Sequence, residues 1–170
     1  MLVELAIRDY AIIDDLRLRL AAGFNVLTGE TGAGKSIIVG ALGLLLGGRA
    51  DAAAVRAGAE RAVIEGVFEP GARADVVRPI LEAYGIDEDP VLIVTREVHA
   101  EGRSTGRVNG RAVPVRALAD GEASGFQLLH QLADGGAVAT VSQPQGAFEI
   151  RADLNIHRRA DRGFHAVGFI

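Results

Sequence analysis

The 170-residue chain contains no cysteine and no tryptophan, one methionine, and only six phenylalanines and two tyrosines. Without cysteine there is no disulfide framework and no thiolate zinc site, a composition that fits a reducing compartment. The scarcity of aromatic rings argues against a base-stacking platform for single-stranded nucleic acid, and no aromatic residue lies between Arg96 and Arg116, where the basic residues crowd. There is no long apolar run either. The most apolar stretch, 36–48, has 13 residues interrupted by glycine, whereas a helix needs about 20 apolar residues to span a bilayer. The opening MLVELAIRDYAIIDD carries charge by its fourth residue and has no basic stretch ahead of an apolar block. No signal peptide is expected from it. A net charge of −4 removes the simplest electrostatic case for nucleic-acid binding, which is a strongly basic chain.

What is present describes an ordinary soluble globular protein, with 49% hydrophobic and 24% charged residues. At this length one domain is expected. Leu2 to Asp9 reads as a strand, with Val3, Leu5 and Ile7 on one face and Glu4, Ala6 and Arg8 on the other. DLRLRL at 15–20 alternates more strictly and is expected to pair antiparallel with it. Phe24 to Leu27 forms a short apolar strand ahead of a glycine-rich turn. Beyond the turn, Ile37, Ile38, Ala41, Leu42, Leu45 and Leu46 recur at helical spacing, and Gly47-Gly48 marks the stop. Further strands are expected at 63–69 and 91–98, a short helix over 72–84, and a hairpin over 103–115 turning on Asn109-Gly110. This order predicts a mixed α/β layer with an antiparallel part rather than a uniform doubly wound sheet.

One motif carries chemistry. Residues 29–36, Gly-Glu-Thr-Gly-Ala-Gly-Lys-Ser, fit G-x-x-x-x-G-K-[ST] at each fixed position. Glycine at 29, 32 and 34 allows backbone conformations closed to other residues and close approach to an anion. Successive N–H groups then form a nest at the positive end of the following helix, where a phosphate sits. Lys35 supplies a mobile point charge, and the Ser36 hydroxyl is a Mg²⁺ ligand. The expected cofactors are ATP and Mg²⁺, held by Gly29, Glu30, Thr31, Gly32, Ala33, Gly34, Lys35, Ser36 and Ile37. Lys35 is also the only lysine among 18 basic residues, the rest being arginine. The slot is one where a compact ammonium fits and a planar guanidinium does not.

The stretch LAIRDYAIIDDLRLRLAAGFNVLTGETGAGKSIIVGALGLLLGGRAD resembles the N-terminal segment of the RecN family, SMC-like DNA-repair members of the ABC-type ATPases. The resemblance continues through IVTREV and GRSTGRVNGRAVPV, and it covers residues 1–119. The Glu30-Thr31 pair favours this family over its RecF and SMC siblings, which more usually place asparagine at the second of these positions. The resemblance implies the N-terminal half of a P-loop ATPase head, with residues 1–119 as the Walker A lobe and 120–170 as an atypical tail. It further implies that Walker B and the signature loop come from a distal C-terminal half-head. No apolar run ending in Asp-Glu and no L-S-G-G stands in this sequence, so no catalytic residue is assigned. Implied partners are that half-head, a second head and DNA, with no membrane. The implied setting is cytoplasmic and nucleoid-associated, and the implied work is recombinational repair of double-strand breaks. The family's Gln-bearing segment after the hairpin is not matched by FQLLHQLADGG, so Gln127, His130 and Gln131 receive no role.

Two alternatives stand beside this. One is another SMC- or RecF-type repair ATPase. The other is a self-contained P-loop kinase, in which the arginine-rich 96–116 segment would serve as the lid. That segment carries a local net charge of +3. Arg107 and Arg111 are expected on one solvent-facing side, where DNA phosphates or solvation would account for them. Arg8-Asp9-Tyr10 is expected either near the nucleotide or in a surface loop, and Arg56 in a solvated loop.

Overall fold

A computed structural model of the chain describes residues 1–22, 25 and 34–118. Six strands, β1 (Leu2–Tyr10), β2 (Ile13–Arg19), β3 (Arg61–Phe68), β4 (Leu92–His99), β5 (Ser104–Val108) and β6 (Arg111–Val113), form one sheet. Its order is β2-β1-β3-β4-β5-β6, and each adjacent pair is antiparallel. Among the described residues two α-helices accompany it, α1 (Lys35–Leu45) and α2 (Ala74–Ala83). The expected strand at 24–27 and the 120–170 tail lie outside the described residues, apart from Asn25.

One face of the sheet is buried, and its residues follow from the register. Leu16 and Leu18 of β2 stand beside Leu5 and Ile7 of β1, which stand beside Gly66 and Ile64 of β3. Val94 of β4 and Val108 of β5 continue the same row. The period-2 reading of β1 is right from Leu5 onward, but it misplaces the strand's start. A register shift between Leu2 and Glu4 turns Leu2 into the core in place of Val3. On the opposite face charges pair across strands. Glu4 takes Arg17 at 2.8 Å and Arg19 at 3.5 Å, and Glu97 takes Arg61 at 3.8 Å. Such exposed pairs contribute about 0–1 kcal/mol each.

Helix α1 lies across β1, β3 and β4. It buries Ile38, Ala41, Leu44 and Leu45, with Ile37, Leu42 and Leu46 partly covered. Its carboxyl end closes as a Schellman motif: Gly48 N–H donates to the Gly43 carbonyl at 2.9 Å and Gly47 N–H to the Leu44 carbonyl at 3.0 Å. Gly47 takes φ 85°, the left-handed conformation that this closure requires. Helix α2 inserts Val77 and Leu81 into the same core, each worth roughly 1.5–3 kcal/mol of burial. Pro79 within α2 removes one helical N–H, so packing rather than backbone bonding holds that turn.

The Asn109-Gly110 turn forms as expected, with φ 47° and 78°. The arginines beside it do not share a face. Arg107 pairs with Ala112 and Val108 with Arg111, because a two-residue loop places residues 107 and 111 on alternate sides of the pleat. Arg111 instead donates to the Gly85 carbonyl at 2.5 Å, tying the hairpin to the end of α2, while Arg107 donates to the Gly110 carbonyl at 3.1 Å.

Candidate functional site

Residues 34–37 of the motif stand at the amino end of α1. Gly34 is its N-cap, with φ 90°, a conformation that would strain any residue bearing a Cβ. Its carbonyl accepts from Ile37 N–H at 3.0 Å and Ile38 N–H at 3.1 Å, which sets the first turn. Gly34 is buried, Lys35 and Ile37 are partly covered, and Ser36 is exposed. Gly34, as N-cap, brings no side-chain cap to this terminus. The leading N–H groups of a helix stand ahead of its i→i−4 ladder, and the helix dipole places its positive end there. A Lys ammonium, a Ser hydroxyl and those N–H groups on one turn are the chemistry of an oxyanion and divalent-cation site. Gly29, Glu30, Thr31, Gly32 and Ala33 lie outside the described residues.

Three contacts seat α1 on the sheet. At its middle, Gly40 lies over Tyr10, where a Cβ would meet the tyrosine hydroxyl at 3.2 Å. Burial, and then the Asp51 carboxylate, push that hydroxyl above its usual pKa. Near the carboxyl end, Leu45 presses on Gly66. At the end itself, Arg96 Nη2 donates to the Gly48 carbonyl at 3.4 Å.

The residues around Tyr10 divide between core and surface. Asp9 and Ala11 both take positive φ, 51° and 52°, at the β1–β2 turn. That turn is pinned by Ala11 N–H to the Ala54 carbonyl at 2.6 Å and Arg56 N–H to the Asp9 carbonyl at 2.9 Å. Arg8 is exposed and Tyr10 is core. The Arg56 guanidinium is paired with Asp14 at 2.5 Å and lies 4.0 Å from Asp9. An open cleft of about 470 Å³ beside it is lined by Asp9, Arg56, Glu60 and Arg61 among others.

The basic residues expected as a cluster over 96–116 do not form one continuous patch: Arg107 and Arg111 lie on opposite faces of the sheet. Arg96 is 2% exposed on the buried face of β4, and Arg103 is paired with Glu101 at 2.6 Å. The segment belongs to the sheet as strand and hairpin, so it is no lid, and the kinase reading loses its closing element. The signal for Arg96 is its parity with Val94 and Val98 along β4. Among the described residues no helix is long and apolar enough to cross a membrane.

A glycine-capped helix that begins Lys-Ser, laid on an antiparallel sheet, is the fold of the P-loop heads of SMC type. Solved structures share this fold: a Smc head domain from Pyrococcus furiosus has TM-score 0.58 at 19% identity, covering 81% of this chain and 33% of that one. The recombination mediator RecF has TM-score 0.54 at 18% identity, covering 69% and 29%. The AAA domain family model matches residues 4–112, and the chain belongs to that family. Relatives in sequence are DNA repair proteins RecN. That of Streptomyces coelicolor is 52% identical over 116 residues, 67% of this chain and 20% of its own length. That of Bacillus subtilis is 43% identical over 121 residues, 69% and 20%. The chain is thus similar to an N-terminal fragment of a RecN head, and it spans about a fifth of the length of these relatives.

Proposed function

We propose that the chain is the ATP-binding N-terminal part of a RecN-like SMC-family ATPase head that acts in recombinational repair of DNA double-strand breaks. The observation that carries this reading is the placement of Lys35 and Ser36 on the first turn of α1 behind a left-handed Gly34. The 52% identity to a DNA repair protein supports the cellular role. Lys35, Ser36 and the backbone at the amino end of α1 would hold the nucleotide and Mg²⁺: the ammonium would neutralise phosphate charge and the hydroxyl would be a Mg²⁺ ligand. In this reading two heads would engage through the nucleotide that each of them holds. In this reading a C-terminal half-head would supply the acidic residues that orient the attacking water. Double-stranded or broken DNA is the partner, in the cytoplasm at the nucleoid. That contact draws on the relatives, because Arg17, Arg19, Arg56, Arg61, Arg78 and Arg103 already face carboxylates.

Calorimetric titration with Mg²⁺ and a non-hydrolysable ATP analogue tests this. Saturable binding that disappears in Lys35→Ala is expected; absence of binding to the unaltered protein overturns it.

A further inference from the structure

Arg96 occupies a position that the sheet fills elsewhere with hydrocarbon. It alternates with Val94 and Val98 along β4, faces Ile64 on one side and Gly106 on the other, and is 2% exposed. Among the described residues it is the one buried charge. An arginine in such a place cannot shed its proton to escape the cost of burial, although burial does pull its pKa below the ordinary value. Its hydrogen bonding is sparse. Its Nη2 reaches the Gly48 carbonyl at 3.4 Å, while Nε and Nη1 have no hydrogen-bond partner among the described residues.

A methionine or leucine in this slot would pack without leaving unsatisfied donors, and replacing buried charge with hydrocarbon is often neutral or stabilising. Stability therefore does not explain the residue. Its position does. Gly48 is the last residue of the Schellman closure, so the guanidinium stands at the carboxyl, electronegative end of α1. The other end of this 11-residue helix carries Lys35 and Ser36, roughly 16 Å away at 1.5 Å per residue. The other seats of α1, Leu45 on Gly66 and Gly40 over Tyr10, are steric contacts that limit rotation and sideways movement. Arg96 adds a directional, polar tie just past the carboxyl end of the helix.

We infer that Arg96 is a positioning residue of the nucleotide site: by holding the Gly48 carbonyl it fixes the axial place of α1, and thereby of Gly34, Lys35 and Ser36 at the opposite end. This rests on the nucleotide-binding reading above. Arg96 touches no ligand and acts through the helix.

The test measures affinity and stability together in the intact chain, comparing Arg96→Met, Arg96→Lys and Lys35→Ala with the unaltered protein. Affinity is read by calorimetry with Mg²⁺ and a non-hydrolysable ATP analogue, and stability by the urea midpoint. Arg96→Met is expected to keep or raise the midpoint while weakening binding about tenfold. Arg96→Lys, which keeps a cation near Gly48, should recover part of that loss. If Arg96→Met binds within about twofold of the unaltered protein while Lys35→Ala loses binding, the inference falls and the nucleotide site stands. A parallel drop in midpoint and affinity, unrelieved by lysine, marks a structural role and also overturns it. If Lys35→Ala binds as the unaltered protein does, the nucleotide reading fails and takes this inference with it.

Discussion

Leu45 and Gly66 interlock: a Cβ placed on Gly66 would lie 2.5 Å from Leu45 Cδ2, and 2.8 Å from Phe68 Cε2. The absent side chain on β3 is the notch into which the carboxyl end of α1 fits. All three groups are in the core, so there is little room for relaxation. Gly66→Ala should therefore destabilise by about 1–3 kcal/mol, an overpacking effect. Urea denaturation measures it, and an unchanged midpoint would show that the notch is not tight.

Gly43 gives the opposite result on the same helix. It is exposed, has no atom within 4 Å of a built Cβ, and does not need positive φ. Gly43→Ala should stabilise by about 0.5–1 kcal/mol through helix propensity and a less flexible unfolded chain. The same denaturation experiment reads it as a higher midpoint, with nucleotide affinity unchanged.

Asn109 does more than turn the hairpin. Its Oδ1 accepts from Ile93 N–H at 2.7 Å, and its own N–H donates to the Ile93 carbonyl at 2.8 Å, so the turn is bolted to β4. Asn109→Ala loses the side-chain bond and forces alanine into φ 47°. The expected loss is about 1–2 kcal/mol, with hydrogen exchange at the Ile93 amide accelerated more than at Val94.

Arg78 donates Nε to Glu88 Oε2 at 2.8 Å and Nη2 to Glu88 Oε1 at 3.2 Å, a forked pair joining α2 to the acidic turn. This hydrogen bonding, aided by the guanidinium charge, holds the Glu88 carboxyl below its ordinary value of 4.5. A depressed carboxylate pKa gives a stabilising contribution that is present above the unfolded value and fades as pH falls through the folded one. NMR titration should place Glu88 below 4.5 in the native protein and return it toward that value in Arg78→Met. Identical titration curves in the two proteins would contradict the pairing.

Much of this architecture is legible in the residues themselves. The alternation in DLRLRL, the three- and four-residue spacing after Lys35, and Asn109-Gly110 locate β2, α1 and the β5–β6 turn because each is a local pattern with a local cause. What escapes is decided by register. The shift that turns Leu2 rather than Val3 inward depends on how β1 meets β3. Arg107 and Arg111 look like one patch until the two-residue loop assigns them opposite faces. Arg96 reads as surface charge because arginine is seldom buried, and only its neighbours Val94 and Val98 hint otherwise. At the candidate site the string marks Lys35 and Ser36, but it does not reveal that the far end of their helix is held by a buried guanidinium.

The central claim is that phosphate is held at the amino end of α1, and backbone amide shifts test it most directly. The ¹⁵N-labelled chain is titrated with Mg²⁺ and a non-hydrolysable ATP analogue while the amide resonances are followed. The account predicts that Gly34, Lys35, Ser36 and Ile37 shift most, saturate together, and stay fixed in Lys35→Ala. Shifts confined to the cleft of Asp9, Arg56 and Arg61, with Lys35 and Ser36 unmoved, would contradict it.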